Sequence, residues 1–181
     1  TTVSPMTATG RLIKAMHPDA VCVFIGPCIA KKSEVIDSIT FGGADYAMTY
    51  EELASMFEAK NIDPEECTET LQQGSKFGKQ YSVSGGVTAA VLETFKEANK
   101  EVDLKVKTCS GALECKKALM LLKVGKLPED FIEGMACVGG CVGGPSKHKA
   151  ETEAKKDRDA LIASADGRKV LENLKKYPMD Q

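Results

Sequence analysis

Ala20-Val21-Cys22-Val23-Phe24-Ile25 is an unbroken run of β-prone apolar residues stopped by Gly26-Pro27. It is far shorter than the roughly 20 apolar residues a membrane helix needs. It is also too continuous for a strand with one wet face, so it predicts a strand over 20–25 buried on both faces, as in a parallel sheet. Ser4-Pro5 ahead of Met6, Leu12, Ile13 and Met16 predicts an N-capped helix over 5–17 that precedes this strand.

The same alternation recurs along the chain. A strand over 44–49 precedes a helix over 51–60, and a strand over 104–107 precedes a helix over 112–124. Ser84-Gly85-Gly86 leads into Val87, Ala90, Val91 and Phe95, the spacing of a glycine-initiated helix, and 131–136 reads as extended. From 147 onward the chain is charge-rich, with apolar positions spaced for two surface helices broken near Asp166-Gly167. Alternating strands and helices without a linker predict a single α/β domain over 1–181, with a mainly parallel sheet, flanking helices and a helical tail over 147–181.

Composition narrows the function. The 181 residues are 43% hydrophobic and 28% charged, as in an ordinary globular protein. A formal net charge of -2 leaves no basic footprint for nucleic acid. No apolar run suits a membrane span, and no charged-then-apolar leader opens the sequence, although Thr1 stands where an initiator Met is expected. Seven cysteines, odd in number and placed in apolar runs or beside glycines, do not have the spacing of a small secreted disulfide scaffold. A reducing cytoplasm is the expected compartment.

In open α/β sheets, sites gather beyond the carboxyl ends of strands. Four loops qualify: Gly26-Pro27-Cys28, Ser84-Gly85-Gly86, Cys109-Ser110-Gly111, and the segment 137–144. Cys137 and Cys141 are separated by Val138-Gly139-Gly140, which permits a tight bend and close approach to a bulky inorganic group. Paired thiolates suit iron-sulfur or zinc. Taken alone, the spacing fits two small buried thiols slightly better. Zinc would need further Cys or His at ligand spacing, and His17 and His148 have none. His17 reads as a helix end, His148 as part of a charged face and Cys22 as core. Cys67 lies in an acidic stretch with no visible partner.

Two segments together carry a resemblance: GPCIAKKSE over 26–34 and FIEGMACVGGCVGGP over 131–145. They resemble the second and third signature motifs of [FeFe]-hydrogenases, M-P-C-x-x-K-x-x-E and E-x-M-A-C-x-G-G-C-x-x-G-G, in the same order and at a comparable interval. Thr2-Val3-Ser4-Pro5, Ser84-Gly85-Gly86-Val87 and Ser110-Gly111 are also similar to the family. The resemblance implies the iron-hydrogenase catalytic-domain fold and reversible conversion of two protons and two electrons to dihydrogen. It implies an H-cluster, a [4Fe-4S] cubane joined to a diiron subcluster. Cys28 and Cys137 would ligate the cubane, and Cys141 would bridge it to the diiron unit. Lys31 would donate a hydrogen bond to a cyanide ligand, Glu34 would orient Lys31, and Pro5 and Met135 would line the diiron pocket.

The departures carry expectations of their own. The family's first motif, T-S-C-x-P-x-W or T-S-C-C-P, supplies a further cubane cysteine and a proton-relay cysteine, and it has no counterpart in these residues. Gly26 stands in place of Met, Met6 in place of Gln, and the Cys141 end is shorter than C-x-x-G-G-G-Q-P. The chain is therefore expected to be the C-terminal fragment of a divergent or sensory-type member, inactive alone. Its partners would be the N-terminal remainder of the same protein and a ferredoxin-like electron carrier, with no nucleic acid or membrane. The alternatives are a non-catalytic iron-sulfur protein of the hydrogenase-like cluster-assembly type and a hydrogen or redox sensor. Cys109 and Cys115 have no family counterpart; Cys109, at a strand end beside Ser110-Gly111, reads as a buried structural thiol ahead of an extra ligand or relay thiol, and Cys115 has no assigned role.

Overall fold

A computed structural model describes residues 3–39, 42–66 and 74–177. Cys67 and Thr2, both singled out above, lie outside the described residues. The chain divides into two compact units: 1–72 with 145–148 and 175–181, and 73–144 with 149–174.

The first unit opens with helix α1, Pro5–Met16, with Ser4 as N-cap and His17 as C-cap. The Ser4 side chain accepts the Thr7 N–H at 3.2 Å, and Pro5 fills a first-turn position whose N–H would have no helical partner. Strand β1, Val23–Ile25, leads into helix α2, Ala30–Ile39; strand β2, Tyr46–Met48, leads into helix α3, Tyr50–Lys60. Thr49 and Glu52 close a capping box on α3, and Asn61 ends it in the left-handed conformation at φ 53°. β1 and β2 pair in parallel, Val23 opposite Tyr46 and Ile25 opposite Met48.

The core of this unit is Met6, Cys22, Val35 and Ala44, with Ile13, Phe24 and Ala47 packed against it. The expectation of a strand buried on both faces is corrected here. Val21, Val23 and Ile25 are exposed, while Cys22 and Gly26 are buried and Phe24 half-buried. β1 has one paired neighbour among the described residues, so its apolar run alternates in burial although its residue types do not. Lys14 bonds Asp45 at 2.6 Å, and the other Asp45 oxygen accepts the Cys22 N–H at 2.7 Å. Together these pin α1 to the loop before β2.

The second unit contains short helix α4, Lys76–Lys79, then α5, Gly86–Glu97, strand β3, Val106–Ser110, and α6, Ala112–Lys123. Strand β4, Phe131–Met135, follows, then α7, Glu151–Ala163, and α8, Val170–Leu174. β3 and β4 are parallel, with Val106 opposite Phe131 and Ser110 opposite Met135. The observed β3 lies two residues further along than the predicted 104–107. α7 and α8 flank the predicted break at Asp166-Gly167, and Glu97 accepts the Val170 and Leu171 N–H groups at 2.9 and 2.8 Å to close the start of α8. The chain thus has the α/β class read from its sequence, as two parallel strand pairs each with helices.

Gly10 is buried on α1, where a Cβ would meet the Ala44 nitrogen and the Gly43 carbonyl carbon at 2.7 Å each. Both are backbone atoms and cannot rotate away. Gly10→Ala is expected to destabilise the chain by about 1–3 kcal/mol. Gly167→Ala, which adds a methyl to open space, should change stability by less than about 0.5 kcal/mol; denaturant titration of the two variants checks the contrast.

Candidate functional site

The β1 strand ends at Ile25, and Gly26-Pro27 carries the chain to Cys28 just before α2. The Gly26 N–H donates to the Met48 carbonyl at 3.1 Å, and the Pro27 carbonyl accepts the Ser146 N–H at 3.1 Å, so the turn is fixed on both sides. Cys28 is half-buried there. Lys31 and Glu34 follow in the first turns of α2, three residues apart, and form an ion pair. Side chains at i and i+3 lie on one helix face, so the spacing alone brings them together.

Glu34 is the hub of this cluster. One carboxylate oxygen accepts Lys31; the other accepts the Ser4 hydroxyl and, at 3.3 Å, the Thr7 hydroxyl. Thr7 is buried and Glu34 keeps 30% of its side chain exposed. Burial opposes the charge on Glu34, but the hydrogen bonds from Lys31 and Ser4, the Lys31 charge and the Thr7 bond outweigh it. Together they hold the carboxyl below its ordinary range. Pro5, beside Ser4, is exposed at the first turn of α1. The sequence reading identified Ser4 as a cap but missed that its hydroxyl also binds Glu34.

In the second unit β4 ends at Met135, which is half-buried, and Cys137 to Gly144 fold into a bend closed by a 3-10 turn over Cys141–Gly143. Gly139 and Gly140 take φ 79° and 96°, which side-chain-bearing residues rarely adopt. Cys137 is half-buried and Cys141 exposed. The Gly139 N–H donates to the Ser110 hydroxyl at 2.9 Å, and Val83 bridges Gly140. A Cβ at Gly140 would lie 2.2 Å from the Ser82 carbonyl oxygen, and one at Gly143 2.4 Å from the Val138 oxygen. These glycines therefore admit the chain's own backbone.

The bend rests on the acid that opens the E-x-M-A-C motif, to which the sequence reading gave no role. Glu133 in β4 is 4% exposed. Its carboxylate accepts the Gly85 N–H at 2.7 Å, the Thr88 N–H at 2.9 Å and the Thr88 hydroxyl at 2.5 Å. The start of α5, with Gly85 at φ 89°, is thereby tied to β4 four residues before Cys137. An acid inside an otherwise apolar strand, Phe131-Ile132-Glu133-Gly134-Met135, was the available signal.

Cys28, Lys31, Glu34 and Pro5 belong to the first unit, and Met135, Cys137 and Cys141 to the second. Within neither unit do three His, Cys, Asp or Glu side chains come together as a metal set among the described residues. No disulfide ties up the described cysteines, and the donor chemistry, accessible thiols on loops beyond strand ends, fits an iron-sulfur group. His17 caps α1 and Cys22 is core, as expected.

The fold, parallel strand pairs with cysteines on loops beyond the strand ends, is like that of solved [FeFe]-hydrogenases. A variant of [FeFe]-hydrogenase HydA1 from Chlamydomonas reinhardtii superposes with TM-score 0.66 at 21% identity, covering 94% of this chain and 62% of that one. A second [FeFe]-hydrogenase structure gives TM-score 0.63 at 19% identity over 94% of this chain and 60% of that one. Residues 1–145 match the family described as iron only hydrogenase large subunit, C-terminal domain. The chain belongs to that family.

The periplasmic [Fe] hydrogenase large subunit of Nitratidesulfovibrio vulgaris is 32% identical, over 78% of this chain and 44% of the relative. The NADP-reducing hydrogenase subunit HndD of Solidesulfovibrio fructosivorans is 28% identical, over 98% and 38%. The nuclear prelamin A recognition factor of Homo sapiens is 25% identical, over 92% and 46%. The chain spans less than half the length of these relatives. No helix among the described residues is long and apolar enough to cross a membrane.

Glu133→Ala is expected to cost about 1–3 kcal/mol per donor left without a partner, less whatever water recovers, read by chemical denaturation. Glu34 gives a pH signature. Its folded value is depressed, so its contribution is fully present above its ordinary value of 4.5 and is lost as pH falls through the folded value. The stability difference between wild type and Glu34→Gln should therefore be largest near neutrality and shrink below pH 4.5; a difference independent of pH would contradict the ion-pair account.

Proposed function

We propose that this chain is the ligand-bearing C-terminal part of an [FeFe]-hydrogenase catalytic domain, with Cys28, Cys137 and Cys141 as thiolate ligands of the H-cluster. The observation that carries the proposal is the Lys31–Glu34 pair on α2, three residues beyond the half-buried Cys28. Glu34 presents Lys31 as an oriented cation, and a fixed ammonium suits a charge-assisted hydrogen bond to a cyanide ligand. When bound, the H-cluster supplies the reversible conversion of two protons and two electrons to dihydrogen.

The chain's own residues hold, orient and insulate. Gly139-Gly140 turns the backbone so that Cys137 and Cys141 flank one bend, and Glu133 keeps that bend in register. Met135 and Pro5 supply apolar lining, which limits water at a redox centre and tunes its potential. The family match over 1–145 runs through both units, which supports reading that span as one domain; 147–181 is proposed as its helical tail. The parent is an iron hydrogenase that exchanges electrons with a ferredoxin-like carrier. Its compartment is the cytoplasm on cysteine usage, against the periplasmic setting named for one relative.

A second reading is a cubane-binding protein without hydrogen chemistry; one relative, the nuclear prelamin A recognition factor, is not named as a hydrogenase. Infrared spectroscopy separates the two. In the parent protein, bands from bound CO and cyanide that vanish in Cys141→Ser support the hydrogenase reading, and iron-sulfur absorption without such bands supports the second. The 181-residue chain, anaerobically reconstituted, is expected to hold no stable H-cluster and to evolve no hydrogen; robust turnover would overturn the ligand assignment.

A further inference from the structure

β3 and β4 are parallel with Cys109 opposite Gly134. Register partners in a sheet point to the same face, and at this rung one of them has no side chain. The vacant place is taken by Cys115, in the first turn of α6: a Cβ at Gly134 would lie 3.1 Å from its Sγ. The Cys115 thiol also faces the Met135 carbonyl at 3.7 Å, which holds the sulfur over the strand pair. Two thiols are thereby gathered on one face of the sheet.

Their surroundings differ. Cys109 is fully buried, whereas Cys115 is half-buried and lines a shallow apolar groove with Ala112, Leu119, Met120 and Ala136. Cys22, the other buried cysteine among the described residues, sits among Met6, Val35 and Ala44. Burial, and next the neighbouring Cys115 sulfur, push the Cys109 thiol up, so reagents enter at Cys115.

We propose that Cys109 and Cys115 form a reversible intrachain disulfide by exchange with a low-molecular-weight disulfide. In the first step the Cys115 thiolate attacks the external disulfide, forming a mixed disulfide and releasing one thiol. In the second, Cys109 attacks the Cys115 sulfur, the protein disulfide forms and the second external thiol leaves. Two protein thiols are oxidised and one external disulfide is reduced to two thiols, which carry the two protons. Only five residues separate the cysteines, so the cross-link restricts the unfolded chain little, and the bond is expected to open again in excess thiol. The assignment does not depend on the hydrogenase reading, because neither cysteine matches the family's ligand motifs.

Trypsin places both cysteines in one peptide, 108–116, which makes the test direct. The folded 181-residue chain is equilibrated anaerobically with glutathione disulfide, alkylated, digested and analysed by mass spectrometry. The expected product is this peptide lacking two hydrogens and carrying no alkyl group, restored to the doubly alkylated form by excess glutathione. Cys109→Ser is expected to accumulate the glutathione adduct on Cys115. Cys115→Ser is expected to leave Cys109 unmodified in the folded chain, and it keeps the test intact if the first variant does not fold. Recovery of the wild-type peptide as the dithiol, or as a persistent adduct at Cys115 without ring closure, would overturn the proposal.

Discussion

A carboxylate taken out of water must be met by donors, and in this chain the donors that meet the most buried one belong to the start of a helix. Glu133, at 4% exposure, is balanced by two N–H groups and a hydroxyl, with no cation among those partners. Burying such a group without partners costs several kcal/mol, so these bonds couple β4 to the start of α5. Because β4 runs directly into Cys137, the geometry of the thiol bend follows from that bond, assisted by Ser110 holding Gly139.

The same device recurs at lower burial. Glu34 meets the Ser4 and Thr7 hydroxyls at the start of α1, and Glu97 meets the Val170 and Leu171 N–H groups at the start of α8. Helix N-termini carry unsatisfied donors and a partial positive charge; at α5 and α8 acids distant in sequence accept them, whereas at α1 Ser4 caps the helix and Glu34 takes the Ser4 and Thr7 hydroxyls. The versions are not equivalent. Glu34 also carries Lys31 and stays partly wet, so its bonds contribute less to stability and more to orienting the lysine. Glu133 has no such second task and acts through position alone.

The helix starts were legible from short-range signals: Ser4-Pro5 for α1, Gly85-Gly86 for α5 and the Asp166-Gly167 break before α8 all encode their geometry locally. β1 was legible as a strand, but its burial was misread, because burial is set by what pairs and packs against the strand. The Cys28, Lys31 and Cys137–Cys141 pattern named the family from order and spacing. The motif contained Glu133, but its task and the double duty of Ser4 were not legible because their partners stand 45 to 48 and 30 residues away. No local periodicity reports such a pairing.

The cysteines sort by accessibility in a way that bears on function. Cys22 and Cys109 are buried, the first in the apolar core; Cys28 and Cys137 are half-buried and Cys141 is exposed, all three on loops beyond strand ends. A thiol must deprotonate to bind iron, and desolvation in an apolar core opposes that, so the buried positions are the poorest ligands among the described cysteines. The three positions matched to the ligand motifs avoid that penalty. Those three positions were chosen from the motifs, and their accessibility is compatible with that choice. Cys115 falls between the two groups, accessible like a ligand but seated against a buried thiol, and the physical outcome that arrangement favours is sulfur–sulfur exchange.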